Sequence, residues 1–197
     1  MTVSPPAGTN AARRSAILDA AVPVFLRYGF KKTSMDDVAR AAGISRQGLY
    51  LHFPNKELLF KEGLARLIDG MRAAGRAALA RDDLPMEERL LGLFEAVHGH
   101  AIGEPGAENM TELLEAATAL MGNAIDELED GLVADLAKAL RPTKLAAEWK
   151  ALGISAKELA DNLYATSHGA KHRVTSKAEY RDRMRVAIKI ACRERHG

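Results

Sequence analysis

Cysteine occurs once, at Cys192, in a chain of 197 residues. No intramolecular disulfide can staple such a fold, and a reducing compartment suits it. Aromatic residues are scarce, at 5% against 47% hydrophobic residues overall, and alanine and leucine supply most of the apolar content. That balance disfavours sheets, which draw on aromatic and β-branched side chains, and favours closely packed helices. No apolar run approaches the roughly 20 residues needed to span a bilayer. The opening stretch, MTVSPPAGTN, lacks the basic start and apolar segment of a secretory leader. A cytoplasmic protein with no membrane partner is expected. Also missing are a phosphate loop, a nucleophile elbow and a paired-carboxylate pattern. We therefore expect no enzyme, no catalytic residues and no cofactor.

What is present is unevenly distributed. The net charge is only +2, but residues 1–60 carry eight basic against four acidic side chains, and the remainder has a surplus of two acidic ones. A basic N-terminal third is the electrostatic footprint of phosphate binding, although a merely solvated basic face has the same composition.

Within that third lies SMDDVARAAGISRQGLYLHF, Ser34 to Phe53. It predicts a helix over Met35–Ala41, a turn through Gly43 and a second helix over Arg46–His52. Ser34 and Ser45 are placed as N-caps, with Asp37 at the third position of the first helix. Gly43 provides the positive φ that a tight interhelical turn requires. Val38, Ala39, Ile44 and Leu49 face inward and need a further helix to cover them. Arg46, Gln47, Tyr50 and His52 remain on an exposed face. Arginine matches the O6/N7 edge of guanine and glutamine the N6/N7 edge of adenine. The pattern predicts a DNA-binding helix-turn-helix; a structural helical hairpin with a solvated polar face is the alternative.

The run GISRQGLYLHFPNKELLF, Gly43 to Phe60, resembles the signature of the TetR family of bacterial transcriptional regulators, above all in its LY-x-HF-x-N-K-E-L block. The resemblance reaches back through ILDAAVPVFLRYGFKKTSMDDVARAAG and covers roughly Ala11 to Met71. It implies an all-α protein of nine to ten helices. A helix-turn-helix DNA-binding domain would occupy residues 11–71, with a ligand-binding and dimerisation domain over 72–197. By the same resemblance Thr33, Ser34, His52 and Lys56 anchor phosphates, while Ser45, Arg46, Gln47 and Tyr50 lie at the recognition helix. Pro23 departs from the family pattern. A proline inside a helix removes one hydrogen bond and crowds the carbonyl four residues back, so a kink or local widening is expected there. Residues 1–9 read as a disordered arm, followed by Arg13 and Arg14, which either touch DNA or are simply solvated.

Beyond residue 71 helical periodicity continues to the end, with no strand pattern and no repeat. The resemblance implies an effector pocket, for which Leu67, Met71, Phe94, Val97, His98, Met110, Leu113, Met121 and Trp149 are candidates. Few charges share these faces, which points to an unknown, largely apolar small molecule, although such a set also describes plain core. The last two helices open on Ser155-x-x-Glu158 and Ser176-x-x-Glu179, both capping-box patterns. By resemblance they form the interface of a homodimer through Leu159, Leu163, Tyr164, Ser167, Ala170, Tyr180, Met184, Ala187, Ile188 and Ala191; the alternative is that they complete the protomer core. His168 and His172 stand at i, i+4 without a carboxylate or thiol at suitable spacing, so no metal is expected. The resulting expectation is a repressor released from a palindromic operator in double-stranded DNA by its ligand. A small-molecule-binding helical protein or enzyme with a vestigial DNA-binding domain is the alternative.

Overall fold

The computed structural model describes residues 7–99, 102–103 and 105–192. Ten α-helices follow in order: α1 (Ala7–Lys32), α2 (Met35–Ala41), α3 (Arg46–His52), α4 (Lys56–Leu79), α5 (Met86–Val97), α6 (Met110–Met121), α7 (Ala124–Leu140), α8 (Lys144–Ala151), α9 (Ala156–Lys171) and α10 (Lys177–Ala191). Among the described residues there is no strand, and no helix is long and apolar enough to cross a membrane. The expected arm over residues 1–9 lies outside the described residues except for its last three, which open α1.

Two compact units emerge, Met1–Ile68 with Pro105–Ile125, and Asp69–Glu104 with Asp126–Gly197. The first unit, called the head below, holds α1 to α3, the start of α4, and α6. Its core joins Ile17, Leu18, Ala21 and Phe25 of α1 to Val38 and Ala39 of α2, Leu49 of α3, and Leu59 and Phe60 of α4. Leu113 and Ala117 of α6 complete it. Phe60 meets Phe25 edge-on at 5.1 Å and Phe30 at 4.9 Å between ring centroids. Each fully buried large side chain of this kind contributes about 1.5–3 kcal/mol.

Placing α6 in the head was not expected from the chain order. Three contacts hold it there. Gly106 packs against the backbone of Leu26 and Arg27, Asn109 Nδ2 donates to the Arg27 carbonyl at 2.7 Å, and Glu112 accepts from the Lys31 amide at 2.6 Å. Pro23, where a kink or local widening was expected, keeps helical φ/ψ. Within α1 only Gly29, at φ 80°, leaves helical geometry. Pro23 and Asp19 are both solvent-exposed, so water can serve the carbonyl that the proline leaves without a donor. The bend falls instead at Gly29, where a β-carbon would overlap the Glu112 carboxylate.

The second unit contains the end of α4 and helices α5 and α7 to α10, packed around Leu90, Phe94, Leu136, Leu140, Leu163, Met184 and Ile188. Asp135 on α7 accepts from Arg76 at 2.7 Å and Arg72 at 3.3 Å on α4. Ser155 and Glu158 form the full capping box at the start of α9. At α10 the Ser176 hydroxyl accepts from the Glu179 amide, while the Glu179 carboxylate accepts from the Thr175 amide.

Candidate nucleic-acid interface

Local chemistry builds the helix-turn-helix. The Ser34 hydroxyl accepts from the Asp37 amide at 3.2 Å, and the Asp37 carboxylate accepts from the Ser34 amide at 3.0 Å. The Ser34 hydroxyl also donates to that carboxylate at 2.5 Å, and this bond, followed by the one from the Ser34 amide, holds the Asp37 carboxyl below its usual range. After α2 the chain turns through Gly43 at φ 64°, and the Ile44 amide donates back to the Ala39 carbonyl at 3.0 Å. Ser45 caps α3 by accepting from the Gly48 amide at 3.0 Å. Phe53, fully buried and extended, stops α3 ahead of Pro54, and Asn55 Oδ1 starts α4 by accepting from the Leu58 amide at 2.8 Å.

This anchoring leaves one face of α3 outward. Arg46, Gln47, Tyr50 and Leu51 are all exposed. The Arg46 guanidinium donates to Asp36 at 3.0 Å and lies 3.5 Å from the Tyr50 hydroxyl, with its carbon 5.6 Å from the Tyr50 ring centre. Tyr50 and Asp36 raise its already high pKa and fix its direction. An oriented guanidinium loses less freedom when it meets a base edge or phosphate than a freely swinging one.

Not every expected contact residue has this freedom. Thr33 is 2% exposed and its hydroxyl donates to the Gly29 carbonyl at 2.6 Å, so that hydroxyl closes the α1 bend and does not face solvent. Lys56 Nζ donates to the carbonyls of Phe30 at 2.8 Å, Thr33 at 3.0 Å and Lys31 at 3.4 Å. It also sits 4.5 Å from the centre of the Phe30 ring. Lys56 therefore caps the end of α1 with charge-assisted bonds, a role absent from its expected one as a phosphate anchor. Ser34 is exposed at the capped start of α2, and His52 is half-buried at the end of α3. Arg14 pairs with Glu62, donates to the His52 carbonyl and lies 4.1 Å from the Phe53 ring centre. It is a brace inside the head. Reading charge in sequence missed these internal uses, and it also missed Leu51, which is 83% exposed.

The expected effector residues are divided between the units. Leu67, Met110, Leu113 and Met121 fall in the first and Met71, Phe94, Val97, His98 and Trp149 in the second. Leu113 is part of the head core, and Phe94 and Val97 are part of the core of their own unit. Trp149 Nε1 donates to the Ala191 carbonyl at 2.8 Å. A groove of about 360 Å³ in the second unit is lined by Glu87, Glu88, Leu91, Arg185, Ile188 and Lys189, none of them in the expected set.

The expected interface residues face mostly inward in the protomer. Leu159, Leu163, Ser167, Tyr180, Met184, Ile188 and Ala191 are buried within the protomer, and Tyr164, Ala170 and Ala187 are half-buried. Their apolar faces are spent on the second unit's own core. What α9 and α10 leave outward is a different face, with Ala165 and Gly169 on α9 and Val186 and Ile190 on α10, the last two 60% and 68% exposed. His168 Nδ1 lies 3.7 Å from the Glu129 carboxylate, and burial lowers its pKa. Among the described residues no group of three His, Cys, Asp or Glu side chains is arranged to hold a metal ion.

Two capped helices around a glycine turn, the second with a polar face outward, define the head as a helix-turn-helix domain. Residues 17–62 match the family model described as bacterial regulatory proteins of the tetR family. Over 84 residues it is 37% identical to the HTH-type transcriptional repressor ComR of Escherichia coli K12, covering 43% of this chain and 40% of ComR. It is 29% identical over 122 residues to the regulator YhgD of Bacillus subtilis, covering 61% of this chain and 63% of YhgD. With the repressor KstR2 of Mycobacterium tuberculosis H37Rv it shares 36% over 98 residues, 48% of each chain. The chain thus spans less than two thirds of the length of these relatives. Its fold is similar to that of PfmR from Thermus thermophilus, with a TM-score of 0.61 at 22% identity over 91% of this chain and 99% of that one. NemR of E. coli in its reduced form aligns with a TM-score of 0.67 at 18% identity, over 89% of this chain and 95% of NemR.

Proposed function

We propose that this chain is a sequence-specific DNA-binding transcriptional regulator acting as a homodimer. In this reading it is a repressor released from a palindromic operator by a small, largely apolar ligand. The observation that carries the reading is the outward face of α3, where Arg46, Gln47 and Tyr50 stand on a helix anchored from behind by Leu49 and Phe53. Arg46 and Gln47 read base edges, Tyr50 supports Arg46, and Ser34 and His52 flank them at the phosphates. The head with residues 11–71 carries DNA binding, and residues 72–197 supply dimerisation and the effector site, apart from the α6 segment that packs in the head. Two recognition helices reading half-sites about one helical turn apart require a two-fold dimer. A ligand that favours a conformer with wrongly spaced heads releases DNA through that difference in affinity.

Selection from a random duplex library at near-physiological salt tests the reading. Enrichment of a palindrome with fixed half-site spacing is expected, and purely salt-sensitive background binding would overturn it. On the selected operator Arg46→Ala is expected to cost about 1–3 kcal/mol and relax preference at one position, while binding to random DNA changes little. Equal losses on both DNAs would remove Arg46 from base reading.

The dimer is assigned to the outward faces of α9 and α10. Ile190→Glu is expected to turn a dimer into a monomer in size-exclusion chromatography with light scattering. It should leave the helical circular dichroism unchanged, because Ile190 is exposed in the protomer. A variant that remains dimeric would place the interface elsewhere.

A further inference from the structure

Leu51 has an exposure that the protomer does not account for. It is 83% exposed on a seven-residue helix whose other apolar residue, Leu49, is fully buried. One exposed leucine is ordinary on a protein surface and by itself says nothing. Its position is what matters. Gln47, Tyr50 and Leu51 stand at i, i+3 and i+4, so they share one face, and that face is the one assigned above to base edges. Side chains on a helix lean toward its N-terminus, which brings Leu51 over the turn holding Gln47 and Gly48.

The chemistry of the groove names the occupant. Base edges in the major groove present hydrogen-bond donors and acceptors with one apolar exception, the C5-methyl group of thymine. An apolar side chain on a face otherwise made of an arginine, an amide and a phenol has one complementary group within reach. We propose that Leu51 is a specificity-determining residue that packs against a thymine methyl in each operator half-site. The assignment rests on the DNA-reading function proposed above. Leu51 thereby supplies a preference for A·T pairs that its hydrogen-bonding neighbours do not supply alone. It also makes burial of this leucine conditional on the right sequence, which is how an apolar contact becomes selective.

The test uses the selected operator with each thymine replaced singly by deoxyuridine, which removes only the methyl. Dissociation constants are measured by fluorescence anisotropy for the natural protein and for Leu51→Ala. Burial of one methyl-sized group is worth about 0.8 kcal/mol, which corresponds to about fourfold in affinity. At one thymine of each half-site the natural protein is expected to lose about fourfold on replacement, and Leu51→Ala less than about twofold. Leu51→Ala should also bind the unmodified operator more weakly while binding random duplex as before. Replacement costs that are equal in the two proteins, or no sensitive thymine at all, would overturn the assignment. So would an equal loss on operator and random DNA. If the natural protein enriches no sequence, the DNA-reading function itself fails. If it binds its operator but treats thymine and uracil alike, only the role of Leu51 falls.

Discussion

Gly106→Ala should detach the α6 segment from the head and cost about 2–6 kcal/mol of stability. Gly106 is buried at φ 99°, a conformation that a β-carbon opposes by about 1–3 kcal/mol. The added carbon would overlap the Leu26 carbonyl oxygen and come within 2.7 Å of Arg27 Cα, both backbone atoms of α1 that cannot rotate away. Overpacking of that kind adds about 1–3 kcal/mol. Relief requires the loop to lift off α1, and that strains the neighbouring Asn109–Arg27 and Glu112–Lys31 bonds. Gly122→Ala is the control, since Gly122 also has positive φ, at 64°, but nothing lies within 4 Å of the position its β-carbon would take. Urea unfolding should show a loss for Gly106→Ala at least twice that for Gly122→Ala. Equal losses would mean that backbone strain alone sets the cost and that the contact with α1 contributes nothing.

That junction marks where sequence reading ran out. Local signals were legible because the groups that make them are neighbours in the chain. Ser34 finds Asp37 three residues on, Gly43 bends its own turn, and Ser45 caps its own helix, so α2 and α3 carried their boundaries in their residues. The union of α6 with α1 depends on partners as far as 82 positions apart, such as Arg27 and Asn109, and helical periodicity does not encode which surface an apolar face meets. For the same reason the apolar faces of α9 and α10 could be recognised but their partner could not. Leu163, Tyr180, Met184 and Ile188 turned out to fill the protomer's own core, leaving Val186 and Ile190 outward. Charge was equally ambiguous. Arg14 and Lys56 have the residue types expected near DNA, and both are tied to carbonyls within the head. Pro23 was read from its type alone, and its neighbours on α1 keep helical φ/ψ on an exposed face.

Tyr180 joins three helices of the second unit through one hydrogen-bonded string, and replacing it should cost nearly as much as Gly106→Ala. Its hydroxyl lies 3.2 Å from the Phe94 carbonyl on α5 and 2.5 Å from Ser167 Oγ on α9, which is 2.7 Å from His98 Nδ1. A carbonyl only accepts, so the Tyr180 proton goes to Phe94, the Ser167 proton goes to Tyr180, and His98 Nδ1 must donate to Ser167. Tyr180→Phe removes the acceptor for a hydroxyl that is fully buried, at about 1–3 kcal/mol. Tyr180→Ala adds a cavity and should reach about 3–5 kcal/mol. The string also gives a pH signature. Burial pushes the Tyr180 phenol from 10.0 up to about 12, a rise that the hydrogen bond from Ser167 partly opposes. Between those values the unfolded chain releases this proton and the folded chain keeps it. The tyrosine's contribution is therefore complete below pH 10 and declines as pH rises toward 12. Urea unfolding at pH 8 and pH 11 should find the gap between the natural protein and Tyr180→Phe smaller at the higher pH. A gap that stays constant would mean that Tyr180 ionises alike in both states, and that the string does not hold its proton.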